Sequence, residues 1–182
     1  VVFGGLAGYY GGAVSQIFMR LADIELCIPQ LILLIVAAAI LAERGIVIIT
    51  LIIGITMWPA LARVTRSKVL ELKTRDFVEA ARASGASNTY ILWKHILPNT
   101  LGPITVLTTL GVGTAIISEA SLSFLGLGDP LMVSWGNILS TALDDVMHAP
   151  WMAVIPGIAI FLTVWGINMF GDALRDALDV EL

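Results

Sequence analysis

The chain has 182 residues, of which 58 % are hydrophobic and only 13 % are charged. A soluble globular domain carries roughly 25 % charged residues, so this composition, with a mean hydropathy of +0.92, excludes an ordinary soluble enzyme. It predicts one integral membrane domain over residues 1–182. The formal charge of −4 does not set the orientation, because the positions of Lys and Arg do so in membrane proteins. A single cysteine, Cys27, excludes an internal disulfide.

Uncharged stretches divide the chain into candidate membrane spans at residues 1–19, 26–42, 45–62, 101–118 and 149–171. A helix needs about 17–25 such residues to cross the hydrocarbon. In the first stretch Gly11 and Gly12 favour a helix end. In the second stretch Pro29 falls in the first turn, where its missing N–H costs little. We therefore expect an all-α protein with four full spans and part of a fifth. Because Val1 follows neither an initiator Met nor a basic signal-peptide region, we expect that fifth span to start upstream of the chain.

The basic residues are predicted to lie on one face of the membrane. Only Glu43 and Arg44 separate the second and third spans, so these spans form a hairpin whose tip reaches one face. When the membrane crossings are counted from this tip, the other face of the membrane holds Arg20, Arg175 and the seven basic residues of 63–95. These are nine of the ten Lys and Arg residues of the chain. By the positive-inside rule that face is cytoplasmic, and the C-terminus shares it.

Residues 63–98 are too strongly charged to lie in lipid. Within them, residues 76–84 are good helix formers with an acid at the start. Gly85 can take the positive φ that ends this helix, and Ser87 or Asn88 can cap a second one. The pattern predicts a helix–turn–helix outside the bilayer, although a solvated charged loop is the alternative on composition alone.

The first of these helices has a composition suited to docking another protein. Its small residues Ala80 and Ala81 permit close approach, and the charges of Glu79 and Arg82 can fix the register.

The spacing of three motifs in this segment resembles a known family. E-A-A at residues 79–81, Gly85 four residues after the second Ala, and Leu97-Pro98 are similar to the EAA loop of the permease subunits of ABC importers. His95 departs from the general form, which has Ile two residues before the Leu. The run from His95 to Asn99 nevertheless resembles the dipeptide, oligopeptide and nickel branch. We call residues 63–98 the coupling segment.

Further likeness to that branch extends over essentially all 182 residues. It is carried by residues 8–12, Met19-Arg20 with Asp23 and Pro29, 119–128, 134–137, 149–151, Pro156-Gly157 and 171–179. The resemblance implies the type I ABC importer transmembrane fold, with an N-terminal helix and much of the next one missing from this chain.

The resemblance also implies a function and partners. In such importers the EAA loop enters a cleft in an ATP-binding subunit, which assigns docking to Glu79, Ala80, Ala81, Arg82, Gly85, His95, Leu97 and Pro98. Two ATP-binding subunits, a second permease forming a heterodimer, and an extracytoplasmic binding protein are the implied partners, in a prokaryotic cell membrane. Peptides, nickel or another small solute would enter the cytoplasm by alternating access.

The energy for transport is expected to come from the partners. The chain has no G-x-x-x-x-G-K-[ST] phosphate-binding loop, so we expect it to be no enzyme and to bind no cofactor itself, with ATP and Mg²⁺ on the partner subunits. No nucleic-acid partner is indicated.

Glu119 and His148 are two further candidates for a site. Glu119 directly follows an apolar stretch, and an ionisable residue there is a candidate for the substrate path, although a place near the outer interface is the simpler explanation. His148 has no suitably spaced partners, so no metal site is predicted. Tyr9 and Tyr10 are assigned to an interfacial aromatic belt.

Two rival functions stay open on the residues alone. A secondary transporter would need coupling-ion ligands near the midplane, yet residues 45–62 and 149–171 contain no charge. An intramembrane hydrolase would need Ser118, Ser121 or Ser123 to meet His148. The identity of the cargo is not predicted.

Overall fold

The computed structural model describes residues 1–41 and 45–179, with side chains to residue 177, and this part of the chain is helical without strands. The α-helices are α1 (Val2–Tyr10), α2 (Gly12–Leu26), α3 (Gln30–Leu41), α4 (Ile46–Thr56), α5 (Trp58–Leu72), α6 (Asp76–Ala83), α7 (Asn88–Tyr90), α8 (Leu97–Phe124), α9 (Trp135–Ala142) and α10 (Trp151–Asp179). A π-helix covers Ile91–Ile96, and a 3₁₀ turn covers Leu143–Asp145. The all-α prediction is confirmed.

Three helical stretches of the described chain are long and apolar enough to cross a membrane: Ile46–Leu72, Asn88–Phe124 and Trp151–Ala177. A fourth exists only if α2 and α3 count together as one broken span. Of the span expected over residues 26–42, the structure describes a helix from Gln30 to Leu41, and residues 42–44 lie outside the described residues. The helix breaks before Pro29 because proline disfavours helical backbone in the residue that precedes it.

The break predicted in the first stretch is confirmed. Helix α1 ends at Tyr10, and Gly11 and Gly12 follow with φ of 66° and 49°. The predicted hairpin tip, Glu43-Arg44, lies outside the described residues.

The chain groups into two compact units, and the first comprises Val1–Cys27, Trp58–Thr108 and the end of the chain from Arg175. Its core, which we name the anchor cluster, joins α1, α5, α6, the π-helix and the start of α8 through Tyr9, Val69, Val78, Ile91, Leu92, Ile96 and Leu97. Helix α1 lies tightly on α5. A β-carbon added at Gly4 would clash with the Ala62 carbonyl oxygen, and one at Gly8 would lie 2.8 Å from the Val69 Cβ.

The second unit comprises Ile28–Met57 and Thr109–Leu174. Its core joins α3, α4 and the end of α8 through Leu34, Ile49, Ile52, Ile53 and Leu122. Helix α9 packs closely on α8 at Gly136, where an added β-carbon would lie 2.7 Å from the Ser123 Cβ.

Candidate functional site

The candidate site is built on α6, the short helix of the coupling segment. Arg75 is extended, with φ −81° and ψ 150°, and the helix begins at Asp76. Asp76 and Glu79 lie in its first turn and Arg82 in its last, where their charges complement the helix dipole. The local sequence therefore favours a helix of these bounds, as predicted.

The end of α6 is a Schellman turn. The Ala86 N–H donates to the Ala81 carbonyl oxygen at 3.1 Å, and the Gly85 N–H donates to the Arg82 carbonyl oxygen at 2.9 Å. Gly85 has a φ of +80°, which this motif requires after the last helical residues. The prediction that Gly85 ends the first helix is confirmed.

The second helix of the coupling segment starts at a side-chain cap. The Tyr90 N–H donates to the Ser87 hydroxyl oxygen at 3.3 Å, so of the two predicted caps, Ser87 and Asn88, it is Ser87 that acts. The short α7 then runs into the π-helix Ile91–Ile96.

The two faces of α6 differ sharply. Val78 is fully buried in the anchor cluster and Ala81 packs against it, whereas Glu79, Ala80, Arg82 and Ala83 are exposed. Within the described residues neither Glu79 nor Arg82 forms an ion pair. Helix α6 thus presents two small residues flanked by charges of opposite sign, a surface that another protein can approach closely.

Three predicted docking residues lie elsewhere. Leu97 is only 7 % exposed and belongs to the anchor cluster, so it supports the segment from inside, and its role in docking stays a prediction. Pro98 is exposed at the start of α8. His95 is half-buried, and its ring lies edge-on to Tyr90 with ring centroids 5.5 Å apart.

Sequence reasoning missed the polar links that tie the coupling segment to α1. The Tyr9 hydroxyl donates to the Asn88 Oδ1 at 2.8 Å, and the Lys73 Nζ donates to the Tyr9 carbonyl oxygen at 2.6 Å. The Lys73 Nζ also lies 5.3 Å from the centre of the Tyr9 ring. Tyr9 is buried, with only 3 % of its surface exposed. Its assignment to an aromatic belt was therefore wrong. Residues 79 positions apart carry no local sequence signal for such a bond.

The π-helix was also not predicted. The Leu97 N–H bonds to the Leu92 carbonyl oxygen five residues back, and Pro98 follows directly. A proline has no N–H and its ring clashes with the carbonyl four residues earlier, here that of Lys94. The wider π turn relieves this conflict just where the coupling segment enters α8, and such turns frequently mark functional sites.

Glu119 lies in the second unit on the wall of a cavity of about 590 Å³, lined mainly by apolar side chains and also by Asp129. Its carboxylate accepts a hydrogen bond of 2.6 Å from the Ser123 hydroxyl. The cavity size is typical of ligand sites, and a role in the substrate path stays a prediction.

The structure does not favour a hydrolase. Ser121 donates to the Ile117 carbonyl oxygen and Ser123 donates to Glu119. The His148 side chain is 87 % exposed and its Nδ1 lies 3.7 Å from the Asp145 Oδ1. Among the residues described, no group of three or more His, Cys, Asp or Glu is arranged to hold a metal ion.

Comparison with known proteins agrees with the resemblance in the sequence. The model of the family described as "Binding-protein-dependent transport system inner membrane component" matches residues 1–181. An oligopeptide transport system permease protein of Bacillus subtilis is 42 % identical over 100 % of this chain and 60 % of its own length. A dipeptide transport system permease protein of Alkalihalophilus pseudofirmus is 44 % identical over 97 % of this chain and 58 % of its own.

A glutathione transport system permease protein of Escherichia coli O6:K15:H31 is 46 % identical over 96 % of this chain and 57 % of its own length. The chain thus spans somewhat less than two thirds of the curated relatives it matches. The family match runs through both compact units, and the matched proteins are transport components rather than enzymes. The chain belongs to the family of inner membrane components of binding-protein-dependent transport systems.

Proposed function

We propose that this chain is the membrane-spanning part of a permease subunit in an ATP-binding-cassette importer, and that α6 is the helix through which separate ATPase subunits drive it. The observation that carries this proposal is the two-sided character of α6. One side is exposed and free for a partner, and the other is fixed by Val78 and Ala81 in a cluster that also contains residues of α5 and α8.

This arrangement supports a mechanical route from partner to membrane. A displacement of α6 acts on the anchor cluster, which also contains Val69 of α5 and Leu97 of α8. Closely packed side chains have low compressibility and transmit strain, so rigid helices can convey the motion into the spans. The chain itself has no phosphate-binding loop, and ATP with Mg²⁺ is therefore assigned to the ATPase partners.

The cargo is proposed to be a small peptide. The relatives are named for oligopeptide, dipeptide and glutathione transport, and all three cargo classes are peptides. The proposed assembly contains two ATP-binding subunits, a second permease and an extracytoplasmic binding protein. Its location is a bacterial cell membrane, with the coupling segment and the C-terminus in the cytoplasm, as the distribution of Lys and Arg favours.

The test is a steric block of the exposed side of α6. Full-length protein carrying Ala80→Trp is assembled with its partner subunits in proteoliposomes, and cargo-stimulated ATP hydrolysis and peptide uptake are measured. Because Ala80 is exposed, the bulky side chain leaves the fold intact but separates the docked surfaces. Both activities are expected to fall at least about tenfold, the effect of about 1.4 kcal/mol of lost interaction.

The matched control is Ala173→Trp, which adds the same side chain at an exposed position of α10 and should leave both activities near the wild-type level. Wild-type uptake in the Ala80→Trp protein would refute docking through α6. Peptide uptake by wild-type protein without ATPase subunits would refute the importer itself.

A further inference from the structure

The side of α2 that faces α5 forms a small polar cavity in the first compact unit. Its volume is about 230 Å³, and it is lined by Ser15, Gln16, Met19, Arg20, Asp23 and Arg66. Such a cavity is smaller than typical sites for drug-sized ligands, but it has room for several water molecules at about 30 Å³ each. It therefore suits a compact polar group.

The charge of this cavity is positive. The negative charge of Asp23 is neutralised by Arg63, which does not line the cavity and whose Nη2 lies 2.6 Å from the Asp23 Oδ1. Arg66 donates through Nε to the Ser15 hydroxyl at 2.8 Å, which uses one of the five donors of a guanidinium. Arg20 is exposed, and its side chain forms no hydrogen bond or ion pair with any residue that the structure describes. Two arginines thus remain available to an anion.

The cavity lies at the level expected for lipid headgroups. The uncharged stretch 45–62 ends four residues before Arg66, and residues 62 and 66 both lie on α5. Four residues of helix span about 6 Å, and the polar region of each leaflet is about 5–7 Å thick. A guanidinium at this depth meets phosphates rather than acyl chains.

An apolar stripe adjoins the cavity on the same helix. Val14, Ile17, Leu21 and Ile24 recur at three- and four-residue spacing on α2 and are 37 %, 60 %, 51 % and 63 % exposed. This spacing puts them on one helix face, and Ile17 and Ile24 are the neighbours of Arg20 three residues before it and four residues after it on the helix surface. A headgroup phosphate in the cavity would thus have its acyl chains against the stripe. A soluble anion would leave the stripe uncovered.

We propose that Arg20, Arg66 and Ser15 form a binding site for the phosphate of an anionic phospholipid, whose acyl chains cover the apolar stripe of α2. Basic pockets between membrane helices on the cytoplasmic side are a recurring means of binding such headgroups. Arginine suits the role because its planar fork matches phosphate oxygens in pairs. The site is independent of the cargo and does not rest on which peptide is carried.

The test uses the assembled transporter with the full-length protein, purified in detergent and titrated with phosphatidylglycerol while bound lipids are counted by native mass spectrometry. Arg20→Gln removes the charge at an exposed position and is expected to weaken the highest-affinity phosphatidylglycerol site about tenfold. Arg20→Lys, which keeps the charge without the fork, should recover only part of the binding. Lys94→Gln, an equal change of charge at another exposed residue, should leave that site unchanged.

Three results would overturn the proposal. Equal phosphatidylglycerol binding by the wild type and the Arg20→Gln protein would show that Arg20 holds no lipid. An equal loss of phosphatidylglycerol binding in the Lys94→Gln protein would show that the effect depends only on general surface charge. Displacement of the lipid by millimolar glycerol phosphate would identify a site for a soluble phosphate rather than for a phospholipid.

Discussion

Gly85 has a φ of +80°, and a β-carbon placed there would meet no atom within 4 Å. The constraint at this position is therefore the backbone conformation and not packing. Asn tolerates this left-handed region better than most residues, whereas a β-branched residue there is a true outlier. Two substitutions at the same site can thus separate the effect of conformation from the effect of adding a side chain.

We expect Gly85→Val to strain the turn by about 1–2 kcal/mol, the cost of left-handed backbone for a residue with a β-carbon. The two Schellman hydrogen bonds weaken as the turn relaxes, and α6 is then presented at a different angle. Cargo-stimulated ATP hydrolysis by the reconstituted full-length complex should fall severalfold. Gly85→Asn should keep at least half of the wild-type rate. Equal rates in the two variants would contradict a conformational role for Gly85.

Local signals explain why some residues of the site were predictable. The helix-ending role of Gly85 and the capping role of Ser87 depend on neighbours within a few positions, and the sequence displays those neighbours directly. The burial of Ala81 and Leu97 depends instead on which face meets Tyr9 and Val69. Those partners belong to distant helices, so a single sequence does not indicate that Leu97 faces inward.

The contact between α1 and α5 depends on small residues. Gly4 and Gly8 lie four positions apart, and added β-carbons at both would collide with α5. Close approach of this kind is the usual basis of helix association in membranes. Gly12, four residues further on, lies beyond the end of α1 and has open space around it.

We expect Gly8→Ala to destabilise the protein by about 1–3 kcal/mol, as overpacking does in well-packed cores. The new methyl group would lie 2.8 Å from the Val69 Cβ and 2.9 Å from the Arg66 carbonyl oxygen, and a backbone carbonyl cannot rotate away. The melting temperature of the full-length protein in detergent should therefore fall.

Gly54→Ala is the matched control for this change. Gly54 also lies within a helix, α4, but an added β-carbon there meets nothing within 4 Å. Alanine favours helix over glycine by up to about 1 kcal/mol, so the melting temperature should stay the same or rise. A Gly8→Ala protein as stable as the Gly54→Ala protein would disprove close packing of α1 on α5.

The sequence predicted the bounds of those helices that composition determines. It did not predict the bounds that depend on backbone hydrogen bonding. The uncharged stretches located the apolar helices, yet they did not reveal that helix continues from residue 62 to Leu72 or backward from residue 101 to Asn88. Charged residues can continue a helix beyond the lipid because helical hydrogen bonds involve only the backbone. The break before Pro29 and the π turn before Pro98 arise from the missing proline N–H and its ring, effects that hydropathy does not register.

The chain leaves much apolar surface for its surroundings. Only 6 % of the apolar window in Trp151–Ala177 is buried by the rest of the chain, and Phe161, Trp165 and Phe170 are each more than half exposed. Patches of this extent mark contact with lipid or with other proteins. This apolar surface fits a protein that is one member of a larger membrane assembly.

The orientation of the molecule can be tested by cysteine labelling in a full-length protein whose other cysteines, Cys27 included, are replaced by serine. Thr74 in the coupling segment is exposed, and Met147, between α9 and α10, is 88 % exposed. The positive-inside rule puts Thr74 in the cytoplasm, and one crossing by α8 puts Met147 outside. A membrane-impermeant maleimide should therefore label Met147→Cys in intact cells but label Thr74→Cys only after permeabilisation. The reverse pattern would invert the proposed orientation, and with it the assignment of α6 to a cytoplasmic ATPase.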